Sequence, residues 1–215
     1  VVSTLALLQA CVDNQGDAWT FAVDALVRYL EAAGAAPGEA ALPDGFVALV
    51  RTLAVRTAQL HAALAQRTGD DAFDPEPVLA SDIPLWVKQV HDDALATIDE
   101  LAAQAERLPQ SLQPLAAAVV AGLPRLLERL EACAQQSPQG LKTRYHGDYH
   151  LGQVLLVNND FVIIDFEGEP ARSLPERRHK HSALRDVAGM LRSFDYARHT
   201  ALQQATQHEG DVDQL

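Results

Sequence analysis

Apolar residues in this chain recur mostly at three- and four-residue steps, the spacing that builds one buried face on a helix. Val23, Leu26, Val27 and Leu30 share such a face, Asp17 stands where an N-cap belongs, and Gly34 is predicted to end this first helix. A second helix is predicted over 46–66, where Phe46, Val50, Leu53, Thr57, Leu60 and Leu64 form a single stripe. Gly69-Asp70-Asp71 stops it, and Asp74-Pro75-Glu76-Pro77 is extended because a residue before proline avoids the helical region. A third helix begins near Ser81 or Asp82, tolerates Pro84 in its first turn, and presents Trp86, Val90, Ile98 and Leu101. A fourth spans 112–134, with Gly122 and Pro124 placed to kink or split it. The last begins near Ser182 or Asp186, turns Val187, Met190, Leu191 and Phe194 inward, and is predicted to fray from about Gln207.

Two stretches break this pattern. Residues 1–12 open on Val1-Val2-Ser3-Thr4-Leu5-Ala6-Leu7-Leu8 and read as one strand plus a connector, a strand cut from a larger sheet. Within 143–167, two short runs, 154–157 and 161–164, flank Asn158-Asn159-Asp160, whose residues tolerate positive φ, and this predicts a hairpin. Residues 168–181 read as a polar loop with Arg172, Arg177, Arg178, His179, Lys180 and His181. The predicted class is therefore mainly α with a small β-hairpin (α+β).

Hydrophobic residues make up 48% of the 215, enough for a sizeable core. Twenty-nine acidic against 17 basic residues leave a charge of −12, which argues against nucleic acid or anionic membrane as partners and suits a cytoplasmic protein with small-molecule partners. Phosphate chemistry in such a field would need a metal cation. The longest strongly apolar run, 115–123, is too short to span a bilayer. Cys11 and Cys133 are far apart and are expected to be buried, reduced thiols.

The candidate chemistry lies around the hairpin. Asp148 sits in His146-Gly147-Asp148, Gln153 follows five residues later, and Asp165 closes the second strand in Asp165-Phe166-Glu167. Phosphoryl transfer needs a carboxylate facing the attacking hydroxyl and an amide oxygen and a carboxylate for Mg²⁺. Protein kinases supply these as H-R-D-x-x-x-x-N and then D-F-G, with the same five-residue step from aspartate to amide. A rival reading gathers His146, Asp148 and His150, with help from His179, into the metal site of a hydrolase. Glu167 is either an extra acid beside the metal or a hydrogen-bond acceptor behind it. Asp186 suits the start of a helix. Arg172 and Lys180 are candidates to face a sugar or a phosphate, whereas Trp19 and Trp86 are assigned to the core.

HGDYHLGQVL, IIDFEGEPARSLPERR and LRDVAGMLRSFDYA together resemble the maltokinases, aminoglycoside-phosphotransferase-like kinases that are often fused to trehalose synthase. LALLQACVDNQGDAW is similar to that family's hinge strand and the first segment of its C-terminal lobe. The resemblance implies the C-terminal lobe of a protein-kinase-like fold, with 1–12 as hinge strand and connector, 13–215 as the helical lobe, and the N-terminal lobe absent. It implies transfer of the ATP γ-phosphoryl group to the anomeric hydroxyl of maltose, with Asp148 as base and Gln153 and Asp165 as Mg²⁺ ligands. It makes His146 a shaper of the loop, His150 structural or close to the sugar, and Asp186 a brace for the catalytic loop. Gln153 in place of asparagine and Glu167 in place of glycine depart from the general kinase pattern. No G-x-G-x-x-G occurs, and Lys88, Lys142 and Lys180 all lie after the expected hinge, so the isolated chain is expected to be inactive. The expected partners are maltose, ATP and either the missing lobe or a fused trehalose synthase domain. In a third reading the chain is a non-catalytic module packed on that domain.

Overall fold

The structure is a computed structural model that describes residues 8, 10–36, 40–135 and 139–212, the last six by their backbone alone. In chain order the elements are α1 (Ala18–Ala35), α2 (Asp44–Leu64), β1 (Glu76–Pro77), α3 (Asp82–Gln104), α4 (Gln113–Ala121), α5 (Leu123–Ala134), β2 (Leu141–Lys142), β3 (Val154–Val157), β4 (Asp160–Ile163), α6 (Leu174–Arg177) and α7 (Leu184–Val212). Short 3₁₀ turns occur at Ala105–Arg107 and Leu151–Gln153. Helix dominates, as the periodicity predicts, but there are two small sheets rather than one hairpin. The strand expected over 1–12 lies largely outside the described residues. The described chain forms two compact units, one from the residues up to Pro75 and from Lys142 onwards, the other from Glu76–Leu141.

The first unit is organised around the hairpin. β3 and β4 pair antiparallel, with Val154 opposite Ile163 and Val157 opposite Asp160, so Asp160 belongs to the strand and not to the turn. The turn is the two-residue kind, with Asn158 at φ 50° and Asn159 at φ 61°. Both positions need left-handed backbone, which asparagine adopts at less cost than most residues. The segment before α1 adds a short third rung: Gln15 N donates to Leu156 O and Leu156 N to Gly16 O, both at 2.9 Å. Asp17 then caps α1, accepting from Thr20 N at 2.7 Å. Val154 and Leu151 are essentially buried, each stabilising the fold by about 1.5–3 kcal/mol.

Helices close over this hairpin. α2 packs on β4 through the predicted stripe, in which Phe46, Leu53 and Thr57 are buried. α1 runs against α7 through small side chains: Ala18, Ala22 and Ala25 on one helix, Ala197 and Ala201 on the other. The inward face of α7 is thus Met190, Ser193, Phe194, Ala197 and Ala201, and Leu191 is exposed. Of the four residues expected inward, Leu191 faces solvent, while small Ala197 and Ala201 are fully buried against α1. Gly34 lies inside α1, which ends one residue later, and the helical backbone of α7 runs to Val212. The loop 168–181 contains α6, started by a capping box between Ser173 and Glu176.

The second unit is a small helical bundle. α3 carries a half-buried stripe of Val87, His91, Ala94, Ile98 and Leu101, one position round the helix from Val90, which is exposed. Gly122 splits the predicted fourth helix into α4 and α5. β1 and β2 pair where the chain enters and leaves this unit. Both cysteines are exposed, contrary to expectation. Cys11 lies on the open connector before α1, and Cys133 lies in the last turn of α5, which has no buried residue. Among the described residues, no helix is long and apolar enough to cross a membrane.

Candidate active site

The loop carrying Asp148 is fixed from both sides. Upstream, the Asp186 carboxylate accepts from His146 N at 2.9 Å through Oδ2 and from Gly147 N at 3.0 Å through Oδ1. His61 Nε2, from α2, lies 3.0 Å from the same Oδ2. Asp186 is 2% exposed. Burial pushes its carboxyl up, yet the bonds from His61, Gly147 and His146 outweigh that cost and leave it below the usual carboxylate range. Downstream, the Tyr149 hydroxyl meets Thr57 Oγ1 at 2.7 Å. Thr57 already donates to Leu53 O at 2.8 Å, so Tyr149 is the donor.

His146 joins this loop to the segment after β4. It is 1% exposed, its Nδ1 accepts from Asp148 N at 3.3 Å, and its Nε2 donates to Ile164 O at 2.9 Å. Its ring rests between Tyr149 and Phe166, with centroids 5.2 and 5.1 Å away. Both ring nitrogens are therefore engaged, which removes His146 from the hydrolase reading. Among the described residues, no group of three histidine, cysteine or carboxylate side chains is arranged to hold a metal. Gly147 has φ 87°, and a Cβ there would stand 3.1 Å from Gly168 Cα, so the residue before Asp148 must be glycine for the two loops to meet.

Asp165 and Gln153 converge beside the hairpin. Gln153 ends the 3₁₀ turn, its carbonyl accepts from Ile164 N at 3.0 Å, and its Nε2 lies 2.8 Å from Asp165 Oδ2. Asp165 is exposed and sits in left-handed backbone at φ 63°, away from any hairpin turn. Non-glycine residues held in that region cluster at functional sites. Glu167 is exposed in the turn that follows.

A cavity of about 520 Å³ opens beside Asp148, walled by Trp19, His150, Glu169, Arg172 and Tyr196. His150 Nε2 lies 3.8 Å from Asp148 Oδ2, and Arg172 pairs with Glu169 at 2.7 Å. Lys180 does not line this cavity, and its ammonium reaches Asp71 O at 2.5 Å. Trp19, half-buried against the core as expected, also stands in the cavity wall. Arg192 and Tyr196, which stack on each other along the outer face of α7, also escaped the sequence reading. An arginine and a tyrosine four apart on the polar face of a helix were the signal available there.

No protein-family model matches the chain. It is similar to glucosamine kinase of Streptacidiphilus jiangxiensis, at 31% identity over 195 residues that make up 89% of this chain and 38% of the relative. Glucosamine kinase of Mycolicibacterium smegmatis is also 31% identical, over 83% of this chain and 38% of its own length. A solved glucosamine kinase superposes with a TM-score of 0.64 at 26% identity, covering 87% of this chain and 38% of that one. A second, in complex with glucosamine, ADP and inorganic phosphate, gives 0.61 at 23% identity over 92% of this chain. The fold is thus kinase-like and similar to part of these solved glucosamine kinases. The chain spans 38% of the length of the curated relatives it matches.

Proposed function

We propose that this chain carries the catalytic loop and acceptor cavity of an ATP-dependent sugar kinase, as its C-terminal lobe. The observation that supports it best is the joint placement of Asp148 in the wall of a sugar-sized cavity and of Gln153 and Asp165 at the two ends of the adjoining hairpin, tied together through His146. Asp148 accepts the proton of the sugar hydroxyl as that oxygen attacks the γ-phosphorus. The bond from phosphorus to the bridging oxygen breaks, and ADP leaves with the electron pair. Gln153 and Asp165 fit magnesium, which takes one or two protein oxygens beside nucleotide phosphates, once the Gln153 amide turns its oxygen inward. When bound, magnesium neutralises phosphate charge in a chain whose own charge is −12. Glu167, two residues on, can accept hydrogen bonds from water around the ion. Arg172 and His150 border the acceptor, and Trp19 offers it an aromatic face.

The relatives are glucosamine kinases, so glucosamine is the first acceptor to test. Maltose is the second, on the resemblance of the loop and hairpin motifs to maltokinases. The test is ADP release by the natural gene product with Mg·ATP and each sugar in turn, with the product identified by phosphorus NMR. Acceptor-dependent release with formation of a sugar phosphate is expected. ADP release that no sugar stimulates would contradict the reading and favour the non-catalytic module.

A further inference from the structure

Helix α2 is linked to the catalytic loop on both sides of Asp148, directly through Thr57 and through Asp186 from His61, although none of its side chains borders the cavity. Thr57 and His61 are one turn apart on α2 and so project from the same face. His61 reaches the loop indirectly. Its Nε2 shares Asp186 Oδ2 with His146 N, and Asp186 Oδ1 holds Gly147 N. Thr57 takes the Tyr149 hydroxyl, and Tyr149 immediately follows Asp148. The carboxylate that would take the proton is thereby suspended between two anchors. One is three hydrogen bonds on Asp186; the other is the Tyr149–Thr57 bond.

We propose that His61 and Thr57 are positioning residues for Asp148, so that α2 sets where the base stands. This rests on reading Asp148 as the base of a sugar kinase. The physical reason is that Asp186 is a single carboxylate serving three donors. Its two oxygens keep their directions only while all three pull. His61 is the only side-chain donor of the three, and its ring is largely shielded from solvent, with 15% of the side chain exposed. Without it, the carboxylate can rotate about its own axis, and Gly147 and His146 lose the acceptor geometry that orients the peptide before Asp148. A displacement of about 1 Å in a reacting group costs up to about 10²-fold in rate. Thr57 acts on the other side: without its oxygen the Tyr149 hydroxyl is buried without an acceptor and must move.

The test uses His61→Leu, which removes the donor at similar volume, and His61→Gln, whose amide nitrogen ends where imidazole Nε2 ends. Two readouts are taken on the natural gene product. The first is kcat and KM for sugar and ATP. The second is hydrogen exchange at the backbone amides of His146 and Gly147, which needs no substrate. In His61→Leu, kcat should fall about 10-fold or more with both KM values unchanged, and His61→Gln should restore it. The two amides should exchange about 10-fold faster in His61→Leu and at the wild-type rate in His61→Gln. Thr57→Val should lower kcat in the same way, and a wild-type kcat there removes Thr57 from the proposal. Should His61→Leu not fold, His61→Asn, whose amide stops one methylene short, takes its place. Wild-type kcat and wild-type exchange in the donor-free variant would overturn the proposal, as would a His61→Gln protein as impaired as His61→Leu. A wild-type protein that phosphorylates no sugar counts against the proposed function instead, and the exchange measurement then decides on His61 by itself.

Discussion

Replacing Asp186 with asparagine changes one oxygen to an NH₂ group and leaves the side-chain shape intact. The new amide nitrogen must face either Gly147 N or the pair formed by His146 N and His61 Nε2, because the carboxylate accepts from all three. At least one buried donor is then stranded, at about 1–3 kcal/mol, and the surviving bonds drop from charge-assisted to neutral strength, losing about 1 kcal/mol each. The site is 2% exposed, so water does not rescue it. The sum is about 3–5 kcal/mol, in the range found when one partner of a buried charged pair is removed. At about 2–4 °C per kcal/mol for a chain of this size, the melting temperature should fall by roughly 6–20 °C. Trp19 and Trp86 lie in different units, so a Trp86→Phe background makes fluorescence report the unit that holds Asp186. The pH dependence has a definite sign. The Asp186 carboxyl sits below its ordinary value in the folded protein, so its contribution is present above about pH 4 and is lost as pH falls through the lowered folded value. The gap between wild type and Asp186→Asn should narrow over that acidic range. A loss below about 1 kcal/mol at neutral pH, or a gap that does not narrow in acid, would refute the idea that Asp186 holds the loop through its charge.

Two other perturbations test the packing and the hairpin. A Cβ at Gly189 would stand 2.8 Å from Tyr149 O, so Gly189→Ala should push the loop off α7 and cost about 1–3 kcal/mol in urea denaturation. Asp160, hydrogen-bonded first by Arg56 and then by its neighbour's amide, should titrate at about 2 by NMR, and Arg56→Ala should move it toward the ordinary value. The same substitution should change the melting temperature little, because both side chains remain more than a third open to solvent, which screens the pair.

The hairpin was legible because β-branched runs around two asparagines leave little other choice, and α2 because its stripe combines large residues at regular steps. The α1–α7 contact was not, since its alanines carry too little apolar surface to stand out from a helix-forming background. Asp186 looked like an ordinary helix-start acid: two of its donors lie 40 and 39 residues away and the third 125, and no local pattern shows that they meet. The contact of Lys180 was hidden for the same reason, since it meets a carbonyl 109 residues earlier. The order of Asp148, Gln153 and Asp165 could be read directly. The cavity could not, because its wall joins Trp19 of α1 to Tyr196 of α7.

Turnover of wild-type and Asp148→Asn protein, side by side with their affinities for sugar and Mg·ATP by calorimetry, bears directly on whether Asp148 is the base. The natural gene product should form a sugar phosphate from glucosamine or maltose, and Asp148→Asn should lose about 10²–10⁴-fold in kcat while binding both substrates as wild type does. An Asp148→Asn enzyme that turns over at close to the wild-type rate would contradict it and place the proton acceptor elsewhere.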